Sequence, residues 1–120
     1  MNVVSWVLDA VLALAFLAAG VMKLAQPRAA LAEKGMGWAA DFSDGAVKGI
    51  GALEVVGALG LVLPKLLGIA PVLSPLAALG LAAVMVGAVV VHVRRKESPA
   101  APAVLGVLSL VAAIIGFGQV

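Results

Sequence analysis

Three side chains set in or at the ends of apolar runs stand out for their power to hold or pass a proton: Lys23, Glu54 and His92. Glu54 lies within GIGALEVVGALGLVLP, residues 49–64, where every other residue before the closing proline is Gly, Ala, Val, Leu or Ile. A carboxylate in such surroundings needs a cation beside it or a proton on it. Together with an ammonium and an imidazole, it could relay protons, hydrogen-bond the carbonyl of a lipophilic ligand, or act as a general acid. Asp9 and Lys48 are weaker candidates for binding a ligand at the same place.

What these residues can do depends on the solvent around them. The chain is 64% hydrophobic and only 12% charged, against about 25% charged for a soluble domain. A 120-residue soluble fold could not hide that much apolar surface, because small chains bury only about two-thirds of theirs. The excess must face lipid, so the chain reads as an integral membrane protein. Its cations stand at the ends of apolar runs and give no nucleic-acid patch. There are no cysteines and one histidine, which leaves no disulfide, no thiol chemistry and no metal site. Residues 1–20 lack a basic leader and carry Asp9, so they read as a retained span rather than a signal peptide.

A helix crosses a bilayer with about 20 mostly apolar residues, and four runs meet or approach that length: about 3–24, 46–63, 75–93 and 102–118. Few aromatics and no alternating pattern exclude a barrel. The expected fold is therefore all-α, a single domain forming a four-transmembrane-helix bundle. Ser43 or Asp44 is placed to cap the second span and Pro64 to end it. Ser74 is the expected N-cap of the third span, with Pro75 at its first position. Residues 25–45 form the one sizeable loop, expected to lie on the membrane surface. Within it, residues 27–34 suit a short helix stopped by Gly35, and Trp38 suits the headgroup zone.

Lys23, Arg28, Lys34, Lys48, Arg94, Arg95 and Lys96 gather at the first and third loops, and only Lys65 stands at the second. By the positive-inside rule the first and third loops are cytoplasmic and both termini extracytoplasmic. The expected home is the cytoplasmic membrane of a bacterium.

In lipid, helices pack through small residues that let backbones approach. The neighbours of Glu54 at three and four positions are Ile50, Gly51, Gly57 and Ala58, so its carboxylate should point into the bundle. Charged groups at membrane depth cost about 2.5–3.5 kcal/mol each on insertion scales and mark working sites. Asp9 and Lys23 share a face of the first span but are about 21 Å apart along it, too far to pair. Lys23 and Lys48 also have the length of anchors that snorkel to the interface, and His92, close to Arg94, suits an interfacial position.

The ordered set Gly20-x-x-Lys23-Leu24, Lys48-Gly-Ile-Gly51-x-x-Glu54-x-x-Gly57-Ala58, Leu61-x-x-Pro64 and Val86-Gly-Ala88-x-x-x-His92 resembles the DoxX-like family of small four-span membrane proteins, over roughly residues 10–118. The resemblance implies a membrane subunit linked to quinone-dependent redox chemistry, oxidative-stress complexes or the assembly of larger membrane proteins, with Lys23, Glu54 and His92 as the residues of interest. The arginine some relatives carry near the end of the last span is absent here.

The leading expectation is a quinone- or redox-linked membrane subunit with quinone as its ligand and a Glu/Lys/His site. Electrons would come from a partner membrane protein, because the chain has no redox centre of its own. A non-catalytic assembly subunit, acting through a partner or as a homo-oligomer, is the alternative. A small proton-coupled transporter and an acid–base enzyme acting on a lipophilic substrate stay open.

Overall fold

The computed structural model describes residues 2–33, 39 and 42–119. Among them are five helices: α1 (Asn2–Ala25), α2 (Arg28–Glu33), α3 (Asp44–Leu67), α4 (Leu73–Arg94) and α5 (Ala100–Gly118). All but α2 are long and apolar enough to cross a membrane, with mean hydropathy of 1.8 to 2.4. Between 22% and 28% of the most apolar stretch of each is buried within the bundle, so lipid must cover the rest. Val3, Val56, Leu66, Val86 and Ile114 are among the large side chains left outward.

α1 packs on α3, α3 on α4, α4 on α5, and α5 returns to α1, closing a ring of four. Leu12, Phe16, Ala58, Leu61, Ala78, Leu81, Met85, Ala112 and Ala113 fill its centre. α1 and α3 approach backbone to backbone. A Cβ on Gly20 would lie 2.7 Å from the carbonyl oxygen of Gly51, and one on Gly51 would lie 2.8 Å from Cβ of Lys23. Only glycine fits on either side, and the pairing holds Glu54 and Lys23 at one level.

The helix boundaries obey local chemistry, with two corrections to the sequence reading. Ser43 caps α3 as expected, its hydroxyl accepting from the amide of Ala46 at 3.1 Å. Pro64 does not end α3. It is buried within the helix, which runs on to Leu67 and stops where Gly68 adopts a left-handed conformation at φ 68°. Pro64 removes one backbone donor, the one that would reach the Gly60 carbonyl, but leaves the residues after it free to continue the helix. Ser74 is not the N-cap of α4 either. The helix begins at Leu73 after Val72, which makes no side-chain cap, and Ser74 turns inward to a buried bond described below. Pro75 does fall in the first turn, where its missing donor costs nothing.

The end of the bundle where α1 ends, α3 begins and residues 95–99 make their turn is the basic end. There α2 reproduces the expected short helix, and Leu31, Ala39 and Val47 form a second small core with Met22 and Phe42 packed on it. Leu31, Ala39 and Phe42 are thus anchored onto the helices at this end. Lys34, Gly35 and Trp38 lie outside the described residues.

Candidate functional site

Glu54 is 2% exposed and Lys23 5%. Their side chains meet across the α1–α3 interface, Lys23 Nζ donating to Glu54 Oε1 at 2.7 Å. Gly51, one turn before Glu54, makes this geometry by bringing the backbone of α1 against α3. Lys23 is therefore no snorkelling anchor. Its ammonium is held inside the bundle, where an isolated charge would be very costly.

Beside the pair is a cavity of about 470 Å³, lined by residues of α1, α3, α4 and α5 and by Phe42 from the loop. Lys23, Glu54 and His92 all contribute to its wall. The three candidate residues, carried by three helices, thus face one space. The rest of the lining is apolar and includes Ala19, Ile50, Val84, Met85, Val91 and Leu105. Its rim reaches Leu53 of α3, itself 60% exposed, and the exposed Gly87 of α4. The cavity accordingly communicates with the lipid-facing surface. Volume and lining are those of a small-molecule site, typically 300–1,000 Å³ and mostly apolar with a few convergent polar groups.

His92 is half-buried, and its Nδ1 lies 2.7 Å from the carbonyl oxygen of Ala88, one turn earlier in α4. Among the described residues, neither the second oxygen of Glu54, Oε2, nor the second nitrogen of His92, Nε2, has a hydrogen-bond partner.

Lys48 and Asp9 do not line the cavity. Lys48 extends its ammonium to the carbonyl oxygens of Lys23, Leu24 and Gln26 at 2.9, 3.0 and 2.7 Å. These are last-turn carbonyls that have no helical donor, so Lys48 caps α1 from the neighbouring helix. Asp9 belongs to a second ion pair nearer the other end of the bundle. Its Oδ2 accepts from Lys65 Nζ at 2.8 Å, and the Ser74 hydroxyl, which donates to the Leu61 carbonyl, lies 3.3 Å away. Lys65 also donates to the Ser5 hydroxyl at 2.9 Å and stands 4.5 Å from the centre of the Trp6 ring. Lys65 was missed as a partner because Asp9 was weighed only against Lys23 on its own helix. α1 and α3 run antiparallel, and the pairing of Lys23 with Glu54 implies the other pair. Asp9 lies about 21 Å back along α1 and Lys65 about 16 Å onward along α3, a mismatch the lysine stem spans.

Four spanning helices closed around an internal ion pair and an apolar cavity define a small multi-pass integral membrane protein. The model of the DoxX-like family matches residues 7–114, and the chain belongs to that family. No curated protein and no solved structure is similar enough to the chain to count as a match.

Proposed function

We propose that the chain is a quinone-linked membrane subunit whose cavity takes the ring of a lipophilic quinone, with electrons delivered by a partner membrane protein. One observation carries this reading: Lys23, Glu54 and His92 face a single apolar space that reaches the lipid-facing surface. The residues present suit such a ligand. A ring with an isoprenoid tail would find apolar walls and an exit past Leu53, while its oxygens would lie among Lys23, Glu54 and His92, the polar side chains of the described lining. A quinone, when bound, supplies redox chemistry that requires protons. Within the chain, Glu54 Oε2 and His92 Nε2 are placed to exchange them, and Lys23 holds Glu54 in position.

The charge distribution supports a cytoplasmic location for the basic end, which would draw those protons from the cytoplasm and leave both termini outside. The chain has no cysteine, so single cysteines at Lys96 and Gly68 can test this in intact cells. A membrane-impermeant thiol reagent is expected to label only the Gly68 variant. Labelling of the Lys96 variant alone would reverse the assignment.

The ligand reading is tested by heating the purified protein in detergent with a short-tailed benzoquinone. A ligand at a hundredfold excess over its Kd stabilises by about 2.7 kcal/mol, so a clear rise in Tm is expected. A Tm unmoved both by saturating quinone and by its hydroquinone sinks the proposal.

A further inference from the structure

Among the described residues, Glu54 Oε2 and His92 Nε2 are side-chain atoms of the cavity wall without a hydrogen-bond partner, and both are acceptors. Glu54 is 2% exposed, and Lys23 occupies its Oε1. An ionised carboxylate can only accept, with two oxygens available, which leaves Oε2 as an acceptor lining the cavity. His92 follows from its contact with Ala88. A backbone carbonyl cannot donate, so the 2.7 Å contact puts the ring proton on Nδ1. In the neutral imidazole the other nitrogen is then a bare acceptor. Beside the Lys23 ammonium, which Glu54 Oε1 engages, the lining therefore offers a ligand two acceptors from different helices, Oε2 on α3 and Nε2 on α4.

A quinone carries only carbonyl oxygens, which accept and cannot donate. Placed against these two atoms it would set lone pair against lone pair. Its reduced form carries two hydroxyls, each of which can donate. We infer that the cavity selects the hydroquinone over the quinone, through hydroxyl donation to Glu54 Oε2 and His92 Nε2. This rests on the quinone-class reading of the cavity and adds which form is held. In chemical terms the site is complementary to the dihydroxy state, the product that quinone becomes when the partner's two electrons and two protons are added, and the oxidised form is held more weakly.

The test compares three ligands of one shape on the purified protein under anaerobic, reducing or non-reducing conditions as each requires: a decyl benzoquinone, its hydroquinone, and the dimethyl ether of that hydroquinone, which keeps the oxygens but has no donor. A hydrogen bond to a charged acceptor contributes about 1.5–3 kcal/mol, and about 1.4 kcal/mol is a factor of ten. The hydroquinone is therefore expected to bind at least tenfold more tightly than either of the others. His92→Phe should narrow that gap. Because the chain has a single histidine, ¹⁵N-histidine labelling of the wild type gives one imidazole to read without any substitution. Its Nδ1 should be protonated and its Nε2 bare, and the Nε2 resonance should move with the hydroquinone but not with the dimethyl ether. If the quinone binds as well as the hydroquinone, or if Nε2 carries the proton, the inference is wrong while the quinone-class site stands. If none of the three binds, both fall.

Discussion

The α1–α3 interface holds two ion pairs of the same chemistry, one toward each end of the bundle, and they differ in what surrounds them. The pair formed by Asp9 and Lys65 is enclosed by Ser5, Ser74 and the Trp6 ring. The pair formed by Lys23 and Glu54 opens on a cavity that also contains His92. Burial does not separate them, since Asp9 is 3% exposed and Glu54 2%. The side chains around the first pair tie α1, α3 and α4 together, while those around the second leave room for another molecule. An acid within the membrane is thus a weak guide to function until its neighbourhood is known.

Exchanging each pair for apolar residues breaks the comparison most sharply. Removing one partner of a buried pair costs about 3–5 kcal/mol, whereas replacing both with well-packed apolar residues is often neutral or stabilising. Lys23→Met alone should accordingly destabilise by that amount in a denaturant titration in mixed micelles, and so should Lys65→Met. The double variants Lys23→Met/Glu54→Leu and Asp9→Leu/Lys65→Met should both recover most of the loss. They should part company in ligand binding: the first abolishes the stabilisation by quinone, and the second retains it. Loss of binding in both would mean that the two pairs act as one unit.

The sequence made one of these pairs far more visible than the other. Glu54 could be placed facing inward because Gly51, Gly57 and Ala58 mark the packing face of its helix, and that inference concerns one helix only. Which cation met it could not be read, because Lys23 and Lys48 end at similar depths and only the contact of Gly20 with Gly51 decides between them. Lys48 lost to the unsatisfied carbonyls of α1, an attraction that belongs to the helix end rather than to any motif. The cavity was illegible for a different reason: its wall draws on four helices and a loop, so it exists only after the ring has closed. Pro64 misled because a proline disturbs the bond and carbonyl one turn before it but does not bar the residues after it, and the helix runs on to Leu67 until Gly68 turns left-handed.

Glycines one turn apart or less sharpen the same contrast at lower energy. A Cβ on Gly51 would meet Lys23 Cβ at 2.8 Å and the Gly20 carbonyl oxygen at 2.9 Å, while one on Gly49 meets nothing within 4 Å. Gly51→Ala should push α1 from α3 beside the cavity pair, destabilising by about 1–3 kcal/mol and weakening ligand binding with it. Gly49→Ala relieves a mid-helix glycine and should be neutral or stabilising by up to about 1 kcal/mol. Equal effects from the two substitutions would show that the glycine contact does not set the geometry of the Lys23–Glu54 pair.

The smallest expected effect isolates the support of the enclosed pair. The Ser74 hydroxyl donates to the Leu61 carbonyl at 2.7 Å, next to the Gly60 carbonyl that Pro64 leaves without its usual donor, and it approaches Asp9 Oδ2 at 3.3 Å. It therefore joins α4 to the same stretch of α3 that carries Lys65. Yet each acceptor has another donor, since Asp9 keeps Lys65 and the helical ladder offers Leu61 the amide of Lys65. Hydrogen bonds between membrane helices average only about 0.6 kcal/mol, so Ser74→Ala should cost about that much in the same titration and leave ligand binding unchanged. A loss as large as that of Lys65→Met would instead make Ser74 the residue that holds the pair together. The enclosed site would then depend on α4 as heavily as the cavity does.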